Sequence, residues 1–89
     1  MSTIEQIRAK LASLAPTELS LQDDSHRHAG HAGAASGGGH FELFIVSERF
    51  AGLSRVARHR LIYDCLGDMM RREIHALSID ARTPGEVEK

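Results

Sequence analysis

Apolar residues recur along this chain at two different spacings, and the change of spacing separates helices from strands. The first apolar positions follow one another at steps of three and four up to Pro16, which predicts a helix over residues 3–14. Ser2 and Glu5 stand at its start with the spacing of a capping box. After the proline, apolar and polar residues alternate over 18–23, as in a half-buried strand.

The second half of the chain repeats both patterns. Residues 40–47 form an aromatic and β-branched run, which predicts a strand that pairs with the first one as a hairpin. Helical spacing returns over 54–71, where the expected buried stripe consists of Val56, His59, Ile62, Tyr63, Leu66, Met69 and Met70. Residues 74–79 alternate again, with His75, Leu77 and Ile79 on one face and Ile74, Ala76 and Ser78 on the other. Thr83 followed by Pro84 predicts a short final helical turn.

The resulting order, α-β-β-α-β, predicts a two-layer α+β fold with a three-stranded sheet and helices on one face. The chain has 89 residues, and this length predicts a single domain over 1–89. Between the first two strands, residues 24–39 consist mostly of glycine, alanine and histidine, which predicts a flexible loop. Connections of this length are uncommon in small domains and are often either functional or disordered.

Composition and charge narrow the class of protein. The formal net charge of −1 provides no overall attraction to nucleic acid or to a membrane surface. Residues 49–72, however, contain six arginines and two aspartates, a local charge of +4 that fits either a phosphate-binding surface or a solvated helix face. A single cysteine, Cys65, excludes an internal disulfide and a cysteine-rich zinc site. With no secretion signal and no long apolar run, we expect a cytoplasmic protein that does not enter membranes.

Histidine is the residue that the composition leaves unexplained. Four of the six histidines, His26, His28, His31 and His40, fall within fifteen residues. The residues alone leave two interpretations open: a solvated polar loop, or half of a metal site that a partner completes. His59 is expected to be partly buried and structural, and His75 stands near the start of a strand without a decided role. No nucleophile elbow, phosphate loop or carboxylate pair is present, so we expect no enzyme.

Six segments, in order, resemble the BolA family over nearly the whole chain. They are Asp24–His31, His40–Phe41, Val46–Leu53, Arg58–Tyr63, His75–Ile79 and Thr83–Pro84. The resemblance implies a class II KH-like α+β fold, in agreement with the order of elements predicted above. It also implies a non-enzymatic adaptor in iron–sulfur cluster assembly or trafficking, whose partner is a monothiol glutaredoxin.

The resemblance further implies which residues bind the cluster. A [2Fe–2S] cluster would be shared with the glutaredoxin and its glutathione, and this chain would supply His75 and a histidine of the loop. The loop ligand aligns with His28, while His31 and His26 are the alternates. Some family members are described as DNA-binding transcriptional regulators, so the alternative is DNA binding by the basic helix through Arg55, Arg58 and Arg60. Without its partner the chain is expected to be a monomer or a weak homodimer.

Overall fold

Helices and strands follow one another in the predicted order in this computed structural model, which describes residues 2–24 and 39–87. The elements are α1 (Thr3–Leu11), β1 (Glu18–Asp23), β2 (Gly39–Val46), α2 (Arg55–Leu66), β3 (Ile74–Arg82) and α3 (Pro84–Val87). Short 3₁₀ turns at Ala12–Leu14 and Gly67–Arg71 continue the first two helices. The predicted α+β order and the final helical turn are therefore confirmed, while most of the predicted loop at 24–39 lies outside the described residues.

Local chemistry explains where the two longer helices begin and end. The Oγ of Ser2 accepts a hydrogen bond from the Glu5 N–H at 3.1 Å, and the Ser54 Oγ accepts one from Ala57 at the same distance. The α-helical part of α2 ends at Gly67, whose φ of 56° a residue with a side chain rarely adopts. The helix predicted over 54–71 is consequently an α-helix up to Leu66 and a tighter 3₁₀ turn beyond it.

The sheet has the strand order β1-β2-β3. The first two strands pair antiparallel, as predicted for a hairpin, whereas β2 and β3 pair in parallel with α2 as the connection between them. The register of the parallel pair shifts at its first residues, because Gly39 lies opposite Ile74 and His40 lies opposite Ala76. His75 is thus an extra residue, and β3 carries a β-bulge.

The core lies between one face of the sheet and the helices. Its buried members are Ile7, Leu11, Leu14, Phe41, Leu43, Ile45, Phe50, Ile62, Leu66, Met69 and Ile74. The predicted stripe on α2 is wrong at Val56 and Tyr63, which are 60 % and 40 % exposed. Both lie about 100° or more around the helix from the fully buried Ile62, so the packed face turns away from them.

Candidate metal centre

The two histidines at the start of β2 and β3 lie at the same end of the sheet. Neighbouring parallel strands begin at the same end of the sheet, which brings His40 near His75 although they are far apart in sequence. Phe41, the next residue of β2, is buried against the helices, so the side chain of His40 points to the opposite face. The fold therefore collects two imidazoles that no sequence spacing connects.

The bulge decides where His75 points. Strict alternation would place it on the helix-facing side with Leu77, and would place Ile74 on the outer side. In the structure Ile74 is only 1 % exposed, whereas His75 and Ala76 are both exposed. The predicted faces are wrong at the start of β3, because the extra residue lets two consecutive side chains leave the core.

His40 and His75 are in ring contact. Their ring centroids are 5.1 Å apart, and the two ring planes are inclined by 39°. His75 is exposed and His40 is half-buried. The sequence places His40 among four clustered histidines and at the start of a strand, but its contact with His75 was not predicted. The one sequence signal for this contact is that His40 stands at the start of β2, which pairs with β3, the strand of His75.

Asp24 and Gly39, the described residues on either side of positions 25–38, are hydrogen-bonded beside this pair. The N–H of Asp24 donates to the His40 carbonyl at 2.8 Å, and the N–H of Gly39 donates to the Glu73 carbonyl at 2.8 Å. Asp24 is buried and accepts a hydrogen bond from Gln22 Nε2 at 3.0 Å. The chain thus leaves and re-enters the described fold at the end of the sheet that carries His40 and His75.

The predicted ligands of the loop, His28, His31 and His26, lie outside the described residues. His28 follows Asp24 by four positions, which limits the separation of their Cα atoms to about 15 Å. Within 2–24 and 39–87, no three His, Cys, Asp or Glu side chains come together in a way that could hold a metal ion. A site with three or more protein ligands that includes His75 therefore requires ligands from outside the described residues.

The three arginines of the DNA-binding alternative do not form one surface. Arg58 Nε donates to the Leu53 carbonyl at 3.0 Å and Nη1 to the Ala81 carbonyl at 3.0 Å, while Nη1 and Nη2 contact the Glu86 carboxylate at 2.7 and 3.2 Å. Its side chain is 14 % exposed. Arg55 and Arg60 are exposed, but five residues of helix turn them about 140° apart.

His59 is half-buried on α2 beside the groove formed by that helix and the end of β3, as predicted for a partly buried histidine.

None of the helices in the described part of the chain has both the length and the apolar character needed to cross a membrane.

Comparison with known proteins relates the chain to one family. The family model described as BolA-like protein matches residues 11–86. The chain is 51 % identical over 88 residues to SufE-like protein 1 of Arabidopsis thaliana, covering 92 % of this chain and 24 % of that protein. It is 42 % identical over 81 residues to BolA-like protein 1 of Mus musculus, covering 90 % of this chain and 57 % of that protein.

A solved structure agrees with this relation. BolA1 from Arabidopsis thaliana superposes with a TM-score of 0.83 at 41 % identity, covering 97 % of this chain and 96 % of that one. The chain spans about a quarter of the first curated relative above and just over half of the second. Since the first is named as a chloroplastic or mitochondrial protein, a cytoplasmic location for this chain stays a prediction.

Proposed function

The chain belongs to the BolA-like protein family, and on this premise we propose that it is a non-enzymatic adaptor for a [2Fe–2S] cluster. In this proposal it supplies histidine ligands, and a monothiol glutaredoxin with its glutathione supplies the remaining ligands. The cluster is cargo that passes between proteins. Both the [2Fe–2S] cluster and the glutaredoxin partner are proposals.

The observation that carries the proposal is the placement of His75. A bulge turns this imidazole out of the core at the end of the sheet where Asp24 and Gly39, the residues that flank segment 25–38, are hydrogen-bonded. That segment contains His26, His28 and His31. A partner that docks at this end would meet an exposed strand histidine and a histidine-bearing segment together.

The ligand types suit a cluster that two proteins share. Two imidazoles on one iron and two thiolates on the other are the ligand set of a Rieske-type centre. The chain's one thiol, Cys65, is half-buried on α2 and lies 3.6 Å from the Ser13 hydroxyl. Both thiolates would therefore come from the glutaredoxin and glutathione. We assign His75 and His28 as the ligands of this chain, with His31 and His26 as the alternates for the second position.

Anaerobic reconstitution with a monothiol glutaredoxin, iron, sulfide and glutathione tests the proposal. We expect a mixed complex whose visible circular dichroism differs from that of the glutaredoxin alone. His75→Ala and His28→Ala should each change or abolish that spectrum, because each removes an iron ligand. His59→Ala is the matched control, since it removes a histidine that lies beside the last residues of β3, at the other end of the strand from His75, and it should leave the spectrum as it is.

The outcomes separate the parts of the proposal. Failure to form any mixed complex would overturn the shared cluster. A spectrum that His75→Ala leaves unchanged would remove the strand ligand. If His31→Ala or His26→Ala changes the spectrum and His28→Ala does not, the second ligand moves to that residue while the adaptor function stands.

DNA binding through Arg55, Arg58 and Arg60 has less support from this geometry. Arg58 is already held by one carboxylate and two carbonyl oxygens, so a phosphate would have to displace them. The two remaining arginines point in different directions around α2. We therefore propose no second function on this helix.

A further inference from the structure

We propose that His40 and His75 by themselves form a chelating site for one divalent transition-metal ion, which the chain binds without any partner protein. The site is distinct from the shared cluster in its metal, in its second ligand and in its independence of glutaredoxin. It uses two residues that the structure describes directly.

The distance between the rings fits two ligands on one ion. Zinc–nitrogen bonds are about 2.0–2.1 Å and a ring nitrogen lies about 1.1 Å from the ring centre, so two imidazoles on a tetrahedral ion have centres about 5 Å apart. The observed separation of the His40 and His75 centroids is 5.1 Å. The two rings are therefore already as far apart as two imidazoles on one ion, and rotation of the side chains would have to turn one nitrogen of each ring towards that ion.

The backbone holds the two Cα atoms in place. β2 and β3 are hydrogen-bonded neighbours, and the ladder continues from His40 opposite Ala76 to Val46 opposite Arg82. His75, the residue of the bulge, lies directly beside this ladder. Because both histidines are on paired strands, little backbone conformational entropy remains to be lost when the ion binds.

The chemistry of the pair selects the class of ion. Imidazole is a good ligand for zinc, copper and nickel, whereas magnesium and calcium prefer oxygen ligands. Each imidazole has two ring nitrogens, so a ring that makes one hydrogen bond still has a second nitrogen for a metal. His75 is exposed, which leaves room for water molecules to complete the coordination.

The site has a consequence for the proposed adaptor function, and this consequence alone rests on that function. In this proposal the divalent ion and the cluster iron use the same imidazole nitrogen of His75, which cannot bind both at the same time. Occupation of the His40–His75 site would therefore compete with loading of the shared cluster.

Calorimetric titration with Zn²⁺ alone tests the site in the 89-residue chain. The background variant carries His26→Asn, His28→Asn and His31→Asn, which removes the histidines of segment 25–38 from the titration. We expect one Zn²⁺ per chain at a pH about one unit above the ordinary imidazole pKa of about 6.5. Adding His40→Ala or His75→Ala should weaken binding by about tenfold or more, since each removes a ligand. His59→Ala is the control and should leave the affinity unchanged.

A second measurement needs no change at either ligand. In the background variant, the side-chain ¹⁵N signals of His40 and His75 should shift together on addition of Zn²⁺, while those of His59 stay in place. Absence of Zn²⁺ binding in the background variant would overturn the site, as would an affinity that His40→Ala leaves unchanged in a folded protein. Because no glutaredoxin is present, these results do not depend on whether a shared cluster forms.

Discussion

At the scale of single residues, Ser47 shows how a buried hydroxyl can join distant parts of a small domain. It follows β2 and is fully buried. Its Oγ donates to the Leu14 carbonyl at 2.6 Å and accepts from the Arg49 N–H at 3.1 Å. Its own backbone N–H donates to the Arg82 carbonyl. One side chain thus pairs two backbone groups that would otherwise lose a partner away from water.

Ser47→Ala should therefore destabilise the protein by about 1–3 kcal/mol, because the buried Leu14 carbonyl and Arg49 amide lose their partner. Urea unfolding followed by circular dichroism measures this change. Ser78→Ala, in an exposed position of β3, is the control and should stay within about 0.5 kcal/mol of the parent. Equal effects of the two substitutions would show that the Ser47 hydrogen bonds contribute nothing measurable.

At the scale of elements, α2 has a packed face and an open face that its sequence does not distinguish. Apolar residues occur all around the helix, and charged residues are interspersed with them. Ile62 and Leu66 are fully buried, whereas Val56 is 60 % exposed. The sheet and α1 together determine which side of the helix is covered.

Replacing the two β-branched residues of α2 tests this orientation. Ile62→Ala should cost about 2–5 kcal/mol, since it leaves a cavity in the core. Val56→Ala removes a side chain of the same class from the exposed face and should change stability by no more than about 0.5 kcal/mol. The midpoint of urea unfolding measures both. A large loss at Val56 would mean that the helix packs with the other face.

At the scale of the whole molecule, a clamp formed by Arg58 and Glu86 connects α2, β3 and α3. Arg58 reaches from α2 to the Ala81 carbonyl and to the Glu86 carboxylate, which also accepts from the Thr83 N–H at 2.7 Å. The Arg58 guanidinium, followed by the Thr83 amide, lowers the pKa of Glu86 from 4.5 to about 2. The Ala81 carbonyl that accepts the hydrogen bond from Arg58 belongs to β3, which is an edge strand of the sheet.

The lowered pKa of Glu86 gives the clamp a defined dependence on pH. A carboxylate whose pKa falls on folding stabilises the protein above the unfolded value, and that contribution is lost as the pH falls through the folded value. Glu86→Gln should therefore lower the Tm above pH 4.5, and the difference from the parent should shrink towards zero by pH 2. Because the pair is exposed, we expect a shift of only a few degrees.

Calorimetric melting at several pH values measures this dependence. The control is Glu48→Gln, which changes an exposed glutamate outside the clamp. We expect the Tm difference that it produces to lack the loss between pH 4.5 and 2 that Glu86→Gln shows. A Tm difference for Glu86→Gln that is constant across this range would contradict a role of the ionised carboxylate in stability.

The order and type of the elements follow from local patterns in the amino-acid sequence. Hydrophobic spacing, capping serines and the position of Pro16 act on neighbouring residues, so the bounds of β1 and the start of α1 agree with prediction. Of the candidate site, His75 was identified by its place in a family motif, and no spacing in the chain indicated it. The choice of His28 also rests on that resemblance and stays a prediction.

Which distant residues come into contact depends on the tertiary structure. The contact of His40 with His75 depends on the parallel pairing of β2 with β3 and on a bulge that reverses the expected face of His75. The contact of Arg58 with Glu86 depends on the position of α3 near α2. Such contacts join residues far apart in the chain, and their geometry depends on strand pairing and on the side from which a helix is covered. Local periodicity carries no information about either of these.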